Sequence, residues 1–143
     1  MWSIDRVAGK LVEIRIASPV SLEETGPWSV AHDALIASIK GPYVCFVDLV
    51  DATVFPPDVV AGYVKTMRNE ERLLRTGTLL NTSPTFGMQI QRMIREADHP
   101  SRRAFREPRL LFEWLEDVLE RDERDRLRDL LRARGMTLLS MRP

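Results

Sequence analysis

Short alternating runs of apolar and polar residues open the chain and are followed by helical spacing. In WSIDRVAGKLVEIRIAS (2–18), residues 11, 13 and 15 fall on one face and residues 12, 14 and 16 on the other, with a break near Gly9. This pattern predicts a β-hairpin. Ser21 and Glu24 then have the spacing of a capping box, which predicts a helix start. The pair Gly26–Pro27 predicts either a broken first turn or a start delayed to about Pro27.

The middle of the chain alternates predicted strands with predicted helices. YVCFVDLV (43–50) is almost entirely apolar, which favours a central strand covered on both faces. Helices are predicted from Pro57 and from Pro84, because proline is well tolerated in a first turn, with Ser83 as the N-cap of the second. Strands are predicted in LLRTGTLLNT (73–82) and RRAF (102–105), and residues 107–134 form one long helix or two in succession.

The order ββαβαβαβα with an extra carboxyl-terminal helix indicates the α/β class. Strands that alternate with helices predict a mixed sheet of about five strands with mainly parallel central pairing, flanked by about four to five helices. At 143 residues the chain has the length of a single domain.

Composition narrows the classes of function. The 21 basic and 21 acidic side chains balance, so the total charge gives no general attraction to nucleic acid or to an anionic membrane. A single cysteine, Cys45, excludes an internal disulfide and a Cys-rich zinc site, and its place in an apolar run predicts a small buried side chain rather than a reactive thiol. We find neither a signal sequence nor an apolar run of membrane-spanning length, and therefore expect a cytoplasmic protein.

Few residues suggest catalytic chemistry. Ser83 lies at a strand-to-helix turn, but NTSPTFG lacks the small flanking residues of a nucleophile elbow, and an N-cap role is favoured. A triad of Ser83 with His99 and an aspartate remains open. Neither His32 nor His99 has a second ligand three or four residues after it, and the glycines form no phosphate-binding motif. We therefore predict no catalytic residue, no metal and no cofactor.

Two clusters near the carboxyl-terminal end leave alternatives open. A basic cluster could bind an acidic partner or phosphate, or form a solvated edge that discourages strand aggregation; it comprises Arg102, Arg103, Arg106 and Arg109. A narrow leucine stripe in ERDERDRLRDLLRAR either packs back on the fold or mediates homodimerisation or partner docking; it comprises Leu127, Leu130 and Leu131.

Three segments, in this order and spacing, resemble the STAS fold and its divergent SpoIIAA-like relatives. They are VDLVDATVF (47–55), NTSPTFGMQIQRMI (81–94) and RRAFREPRLLFEWL (102–115). The resemblance spans roughly residues 1–119, which would be the core of a single STAS-like domain, with residues 120–143 as a charged helical extension.

In regulatory STAS proteins, a serine at the start of the helix after the central strand is phosphorylated by a partner kinase. Asp48 and Leu49 match the strand exit of that pattern, but residues 56–59 of this chain read Pro-Pro-Asp-Val. The resemblance therefore implies a member without the usual switch serine. Asp58 would be a permanent phosphate-like charge or a simple helix-dipole acid, and Thr53 is the nearest hydroxyl that could substitute.

The resemblance implies a non-enzymatic regulatory module that binds a protein partner in the bacterial cytoplasm. Loops at the carboxyl ends of parallel strands cluster on one edge, which predicts a shared partner surface there. We expect it to contain Asp48, Asp51, Thr53, Phe55, Asp58 and Ser83. The alternative is a carrier or sensor that holds a lipid or small apolar ligand between helices and sheet, because SpoIIAA-like domains are similar in architecture to lipid-binding CRAL-TRIO domains.

Overall fold

The predicted hairpin forms the first edge of a five-stranded sheet in the computed structural model, which describes residues 1–135. The strands are β1 Trp2–Ala8, β2 Leu11–Ile16, β3 Tyr43–Asp48, β4 Leu73–Leu79 and β5 Arg102–Phe105. The helices are α1 Leu22–Ser38, α2 Pro57–Arg68, α3 Pro84–Ala97, α4 Pro108–Glu116 and α5 Arg121–Arg132. The segment after β5 is thus two helices in succession.

The strands lie side by side in chain order, and this order determines which face of the sheet each connecting helix covers. β1 pairs with β2 in antiparallel fashion, whereas β2, β3, β4 and β5 are mutually parallel. Each parallel connection is expected to be right-handed, so α1, α2 and α3 cover one face of the sheet. The predicted mixed α/β sheet with parallel central strands is confirmed.

The first core lies between the sheet and α1–α3. The side chains of Val12, Ile14 and Ile16 from β2 point into it, as the alternation in the sequence predicts. Cys45 is fully buried there, and burial raises the pKa of its thiol well above the ordinary value. Cys45 therefore acts as a small apolar side chain.

The second core lies on the opposite face, beneath α4 and α5. Leu11, Val44 and Phe46 form its floor, and Leu127 and Leu131 of α5 are completely buried against them. Of the two alternatives for the leucine stripe, packing on the fold is the one observed for these two residues. No helix in residues 1–135 has both the length and the apolar character needed to cross a membrane.

Helix α1 begins at Leu22, so the delayed start at Pro27 is wrong. The capping box, rather than Pro27, determines the helix start, because the backbone N–H of Ser21 donates to Glu24 Oε1 at 3.2 Å. Pro27 lies inside the helix, where it is exposed and lacks the N–H that would have bonded to the preceding turn.

Candidate functional site

The loops that follow β2, β3 and β4 meet at one edge of the sheet and are bound together by side-chain amides. Asn81 Nδ2 donates to the carbonyl oxygens of Val50 (3.2 Å) and Ala52 (2.8 Å), while Asn81 Oδ1 accepts the N–H of Ser83 (3.1 Å). Gln89 in α3 bonds to both the N–H and the carbonyl of Phe55, at 2.9 and 2.8 Å. The loop after β3 is therefore held in a fixed conformation by the loop after β4 and by α3.

Asp48, at the end of β3, is the buried acid of this edge. Its side chain is 2% exposed, and Oδ1 accepts the N–H of Val50 at 3.1 Å. Oδ2 accepts from Arg134 Nε at 2.6 Å, with Arg15 Nε at 3.6 Å. Because two guanidinium groups face one carboxylate, the charge of Asp48 is compensated inside the fold.

Arg134 also reaches the exposed acid Asp51. Its Nη2 donates to Asp51 Oδ2 at 2.8 Å, so one guanidinium group bridges two carboxylates. Burial lowers the pKa of Arg134, but the hydrogen bonds and charges of Asp48 and Asp51 outweigh it and raise the pKa above its usual range. A cavity of about 220 Å³ lies beside this bridge and is lined by Trp2, Arg15 and Ala17 among others.

Phe55 is buried in the core, whereas Asp58, three residues later, is exposed to solvent. The ring of Phe55 is 3% exposed and packs edge-on against Tyr63 and Phe86, with 5.4 Å between ring centroids in each pair. Asp58 is exposed in the first turn of α2, where Oδ1 accepts the N–H of Val59 at 2.8 Å. Asp58 thus satisfies one free donor of the helix start.

The two hydroxyl residues of the predicted surface have structural bonds. Thr53 is exposed, and its N–H donates to Ser18 Oγ at 2.8 Å, which joins the loops after β2 and β3. Ser83 Oγ accepts the N–H of Phe86 at 3.2 Å, so the predicted N-cap of α3 is confirmed. Of the six residues predicted for the partner surface, Asp48 and Phe55 do not face solvent.

The roles of Asn81 and Arg134 at this edge were not predicted from the sequence. Asn81 directly follows a predicted strand, and asparagine often bonds to nearby backbone at such a position, so this signal was available. Arg134 lies 86 residues from Asp48 along the chain. Nothing in its local sequence distinguishes it from the other arginines of the charged tail.

Ser83 and His99 are not brought together. Ser83 follows the carboxyl end of β4, whereas His99 precedes the amino end of the parallel strand β5, so they lie at opposite ends of the sheet. His99 Nε2 instead lies 3.2 Å from the carbonyl oxygen of Glu70, and its Nδ1 accepts the N–H of Ser101 at 3.3 Å. The triad left open by the sequence is not formed.

A buried polar cluster inside the first core was also missed. Glu70 lies at its centre: Oε2 accepts from Tyr43 Oη and lies near Arg102 Nη2, both at 3.1 Å, while Oε1 lies 3.0 Å from His32 Nε2. His32 Nε2 is buried and makes no well-aligned hydrogen bond, although it lies within ion-pair distance of Glu70. Within residues 1–135, no group of three His, Cys, Asp or Glu side chains is arranged to hold a metal ion.

This cluster includes Arg102, which is thereby separated from the other arginines of the basic patch predicted around β5. Arg102 is only 9% exposed and belongs to the interior, so the patch is not a uniform solvated edge. Arg103 lies over the ring of Trp114 at 4.0 Å, and Arg109 forms an ion pair with Glu113 at 2.8 Å. Within residues 1–135, neither Arg103 nor Arg106 forms an ion pair with a carboxylate.

The space between the helices and the sheet bears on the carrier alternative. A cavity of about 70 Å³ lies there, lined by apolar residues together with Glu70 and Arg102. Ligand pockets usually measure roughly 300–1,000 Å³. The cavity is therefore too small for a lipid in this conformation.

Comparison with known proteins supports the fold and gives no sequence relative. No protein-family model matches the chain, and no curated protein matches it significantly. Among solved structures, the chain is similar to the anti-sigma factor antagonist SpoIIAA in its unphosphorylated form, with a TM-score of 0.53 and 13% identity. The match covers 84% of this chain and 100% of SpoIIAA. The chain therefore has the STAS fold in its SpoIIAA-like form, as its three sequence segments predicted.

Proposed function

We propose that this chain is a non-enzymatic regulatory module of the bacterial cytoplasm that binds a protein partner through the edge described above. The observation that carries the proposal is the likeness of 84% of the chain to the fold of a protein described as an anti-sigma factor antagonist. The surface comprises the exposed residues Asp51, Thr53, Val54 and Asp58.

The shape and chemistry of this surface support a binding role. Val54 is an exposed aliphatic side chain, 49% accessible, on a loop whose backbone is fixed by Asn81 and Gln89. Asp58 flanks it with negative charge, whereas the charge of Asp51 is paired with Arg134. A rigid apolar centre with a polar rim is the usual composition of a protein–protein interface, and here it favours a partner with an apolar pocket and basic margins.

The proposal also holds that phosphorylation at the start of α2 is not the switch. Pro57 occupies the first position of that helix, and Pro56 is its N-cap. Neither residue has a hydroxyl group. The Asp58 carboxylate is already engaged with the N–H of Val59.

The test compares two double variants that make the same chemical change at different places. Val54→Arg with Asp58→Lys alters the proposed surface. Val30→Arg with Glu23→Lys alters exposed residues of α1, where Glu23 also lies in a first helical turn. We expect tagged wild-type protein and the α1 variant to capture the same partner from a lysate of the source bacterium, identified by mass spectrometry. The edge variant should lose at least about tenfold of the captured amount.

Thermal unfolding of both variants provides the stability control, because both lose a similar helix-dipole contact. Equal capture by the edge variant and the α1 variant would contradict the proposed surface. Recovery of a stoichiometric apolar compound from the purified protein, with no captured partner, would instead support the carrier alternative.

A further inference from the structure

A second surface lies beside β5 and adjoins the edge just described at Gln89. It is a groove of about 910 Å³ between α3 and the start of α4, which we call the β5 groove. Met88 and Leu110 expose 73% and 39% of their surface there. The groove shares none of the residues Asp51, Thr53, Val54 and Asp58, so it goes beyond the proposed function.

Charge in the β5 groove is strongly one-sided, although the whole chain is neutral. Its lining contains Arg92, Arg95 and Arg106 but a single acid, Glu107. Within the described part of the chain, none of these three guanidinium groups forms an ion pair with a carboxylate. The groove therefore presents unpaired cations beside exposed apolar side chains, a combination complementary to an acidic segment that also carries apolar residues.

The outer edge of β5 provides this groove with backbone hydrogen-bonding groups. Thr76 N–H donates to the carbonyl of Ser101 at 2.9 Å, and Leu80 N–H donates to that of Phe105 at 2.8 Å. Residues 101, 103 and 105 thus face β4. Ala104, which alternates with them and lines the groove, directs its N–H and carbonyl away from the sheet.

The position of the Arg106 guanidinium beside α3 depends on a glycine. A Cβ atom at Gly87 would lie 3.2 Å from Arg106 Nη2, so the absence of a side chain lets that guanidinium lie across the helix within the groove. Arg106 then follows β5 directly, where it can meet a carboxylate on a strand paired with Ala104. This places the cations along the path of an added strand.

We propose that the β5 groove binds an extended acidic segment of a partner protein, which adds a strand to the sheet beside β5. Its carboxylates pair with Arg92, Arg95 and Arg106, and its apolar side chains cover Met88 and Leu110. Main-chain hydrogen bonds supply affinity in this mode, and the alternating side chains supply specificity. A nucleic acid is a poorer fit, because the groove's aromatic residue, Phe105, is packed against the second core rather than exposed for stacking.

The probe is a fluorescein-labelled synthetic peptide in which glutamate alternates with leucine, titrated with the full chain and followed by fluorescence anisotropy. Two control peptides replace every glutamate with glutamine or carry N-methyl groups on alternate amides, which block strand pairing. We expect the unmodified peptide to bind at least about tenfold more tightly than either control, and its affinity to fall as salt is added.

Variants then locate the binding site. Arg92→Glu with Arg95→Glu should weaken binding of the glutamate peptide at least about tenfold, whereas Arg92→Lys with Arg95→Lys should retain most of it. The matched control, Arg121→Glu with Arg126→Glu, makes the same charge change on exposed positions of α5 and should bind as the wild type does. Circular dichroism verifies that each variant is folded.

Three outcomes would overturn the proposal. The first is equal loss of binding in the groove variant and the α5 variant. The second is tighter binding of a single-stranded oligonucleotide than of the peptide. The third is a wild-type dimer that the groove variant converts to a monomer in analytical ultracentrifugation, because a second copy of the chain would then be the occupant.

Discussion

Glu70 is a carboxylate in an apolar core, and its partners explain why it can remain charged there. Burial raises the pKa of Glu70, but His32, Arg102 and Tyr43 outweigh this effect and lower it. Burial likewise lowers the pKa of His32, yet pairing with Glu70 and Asp33 raises it above its usual range. The folded state thus favours the charged form of both residues.

This pair should make stability depend on pH in a defined direction. Because the pKa of His32 is raised on folding, its contribution is complete below about pH 6.5, its ordinary pKa, and is lost as the pH rises through the folded value. The pKa of Glu70 is lowered, so its contribution is complete above about pH 4.5 and is lost as the pH falls through the folded value. We expect the pair to contribute most between these limits.

Thermal unfolding of the wild type and of His32→Gln across pH 5 to 9 measures this contribution. The wild type should lose stability above pH 6.5 relative to the variant, so that the difference in melting temperature between the two shrinks as the pH rises. A constant difference over the whole range would contradict a pKa of His32 that is raised by folding.

At the scale of single elements, Gly77 sets how closely α4 packs on β4. A Cβ atom at this position would lie 2.9 Å from Leu111 Cγ and 3.2 Å from Leu115 Cδ1. Both leucines are fully buried in the second core. A side chain at residue 77 would therefore push the helix away from the sheet.

We expect Gly77→Ala to destabilise the protein by about 1–3 kcal/mol through overpacking. Gly26→Ala is the matched control, because Gly26 lies in α1 with open space around it, and alanine there should instead stabilise the protein by about 0.5–1 kcal/mol. Urea unfolding curves give both values. Similar effects of the two substitutions would contradict the close packing of α4.

The elements were predictable from sequence wherever a local signal decided them. Pro57 and Pro84 correctly marked helix starts, and the apolar run at 43–48 correctly marked the central strand. The delayed start at Pro27 was wrong, since a capping box that begins six residues earlier, at Ser21, supplied bonds that outweighed one missing donor. The sequence thus revealed both the capping box and the proline, but not which of the two would decide where the helix begins.

The candidate site was less predictable, because its decisive contacts join distant residues. The clustering of loops at one edge followed from parallel topology, but the burial of Phe55 depends on Tyr63 and Phe86 from two different helices. Arg102 looked like one of several surface arginines, and only the position of Glu70 in the folded chain makes it an interior residue. Neither the packing of Phe55 nor the pairing of Arg102 with Glu70 follows from the spacing of apolar and polar residues, which is the signal that a single sequence offers.

At the scale of the whole molecule, α5 belongs to the folded unit even though the sequence marks it as an extension. Glu123 at its start accepts the Lys10 N–H at 2.6 Å and Lys10 Nζ at 2.8 Å. Burial raises the pKa of Glu123, but these bonds outweigh it and lower the pKa. The hairpin turn and the charged helix are thus joined by one carboxylate, above the buried Leu127 and Leu131.

Leu127→Ala should therefore destabilise the entire protein by about 2–5 kcal/mol, because it leaves a cavity over the sheet. The adjacent exposed substitution Arg126→Ala should change stability by no more than about 0.5 kcal/mol. Guanidinium chloride unfolding should show one cooperative transition for all three proteins. A loss below about 0.5 kcal/mol for Leu127→Ala would show that α5 is an appendage rather than part of the core.

The contact between β1–β2 and α5 also has a consequence for synthesis in the cell. The ribosome makes Lys10 and Leu11 near the beginning of the chain and their partners Glu123, Leu127 and Leu131 more than a hundred residues later. Until α5 has emerged, the outer face of the hairpin and of β3 exposes its apolar side chains. Until then, we expect delayed sheet formation or a chaperone to protect this face of the nascent chain from aggregation.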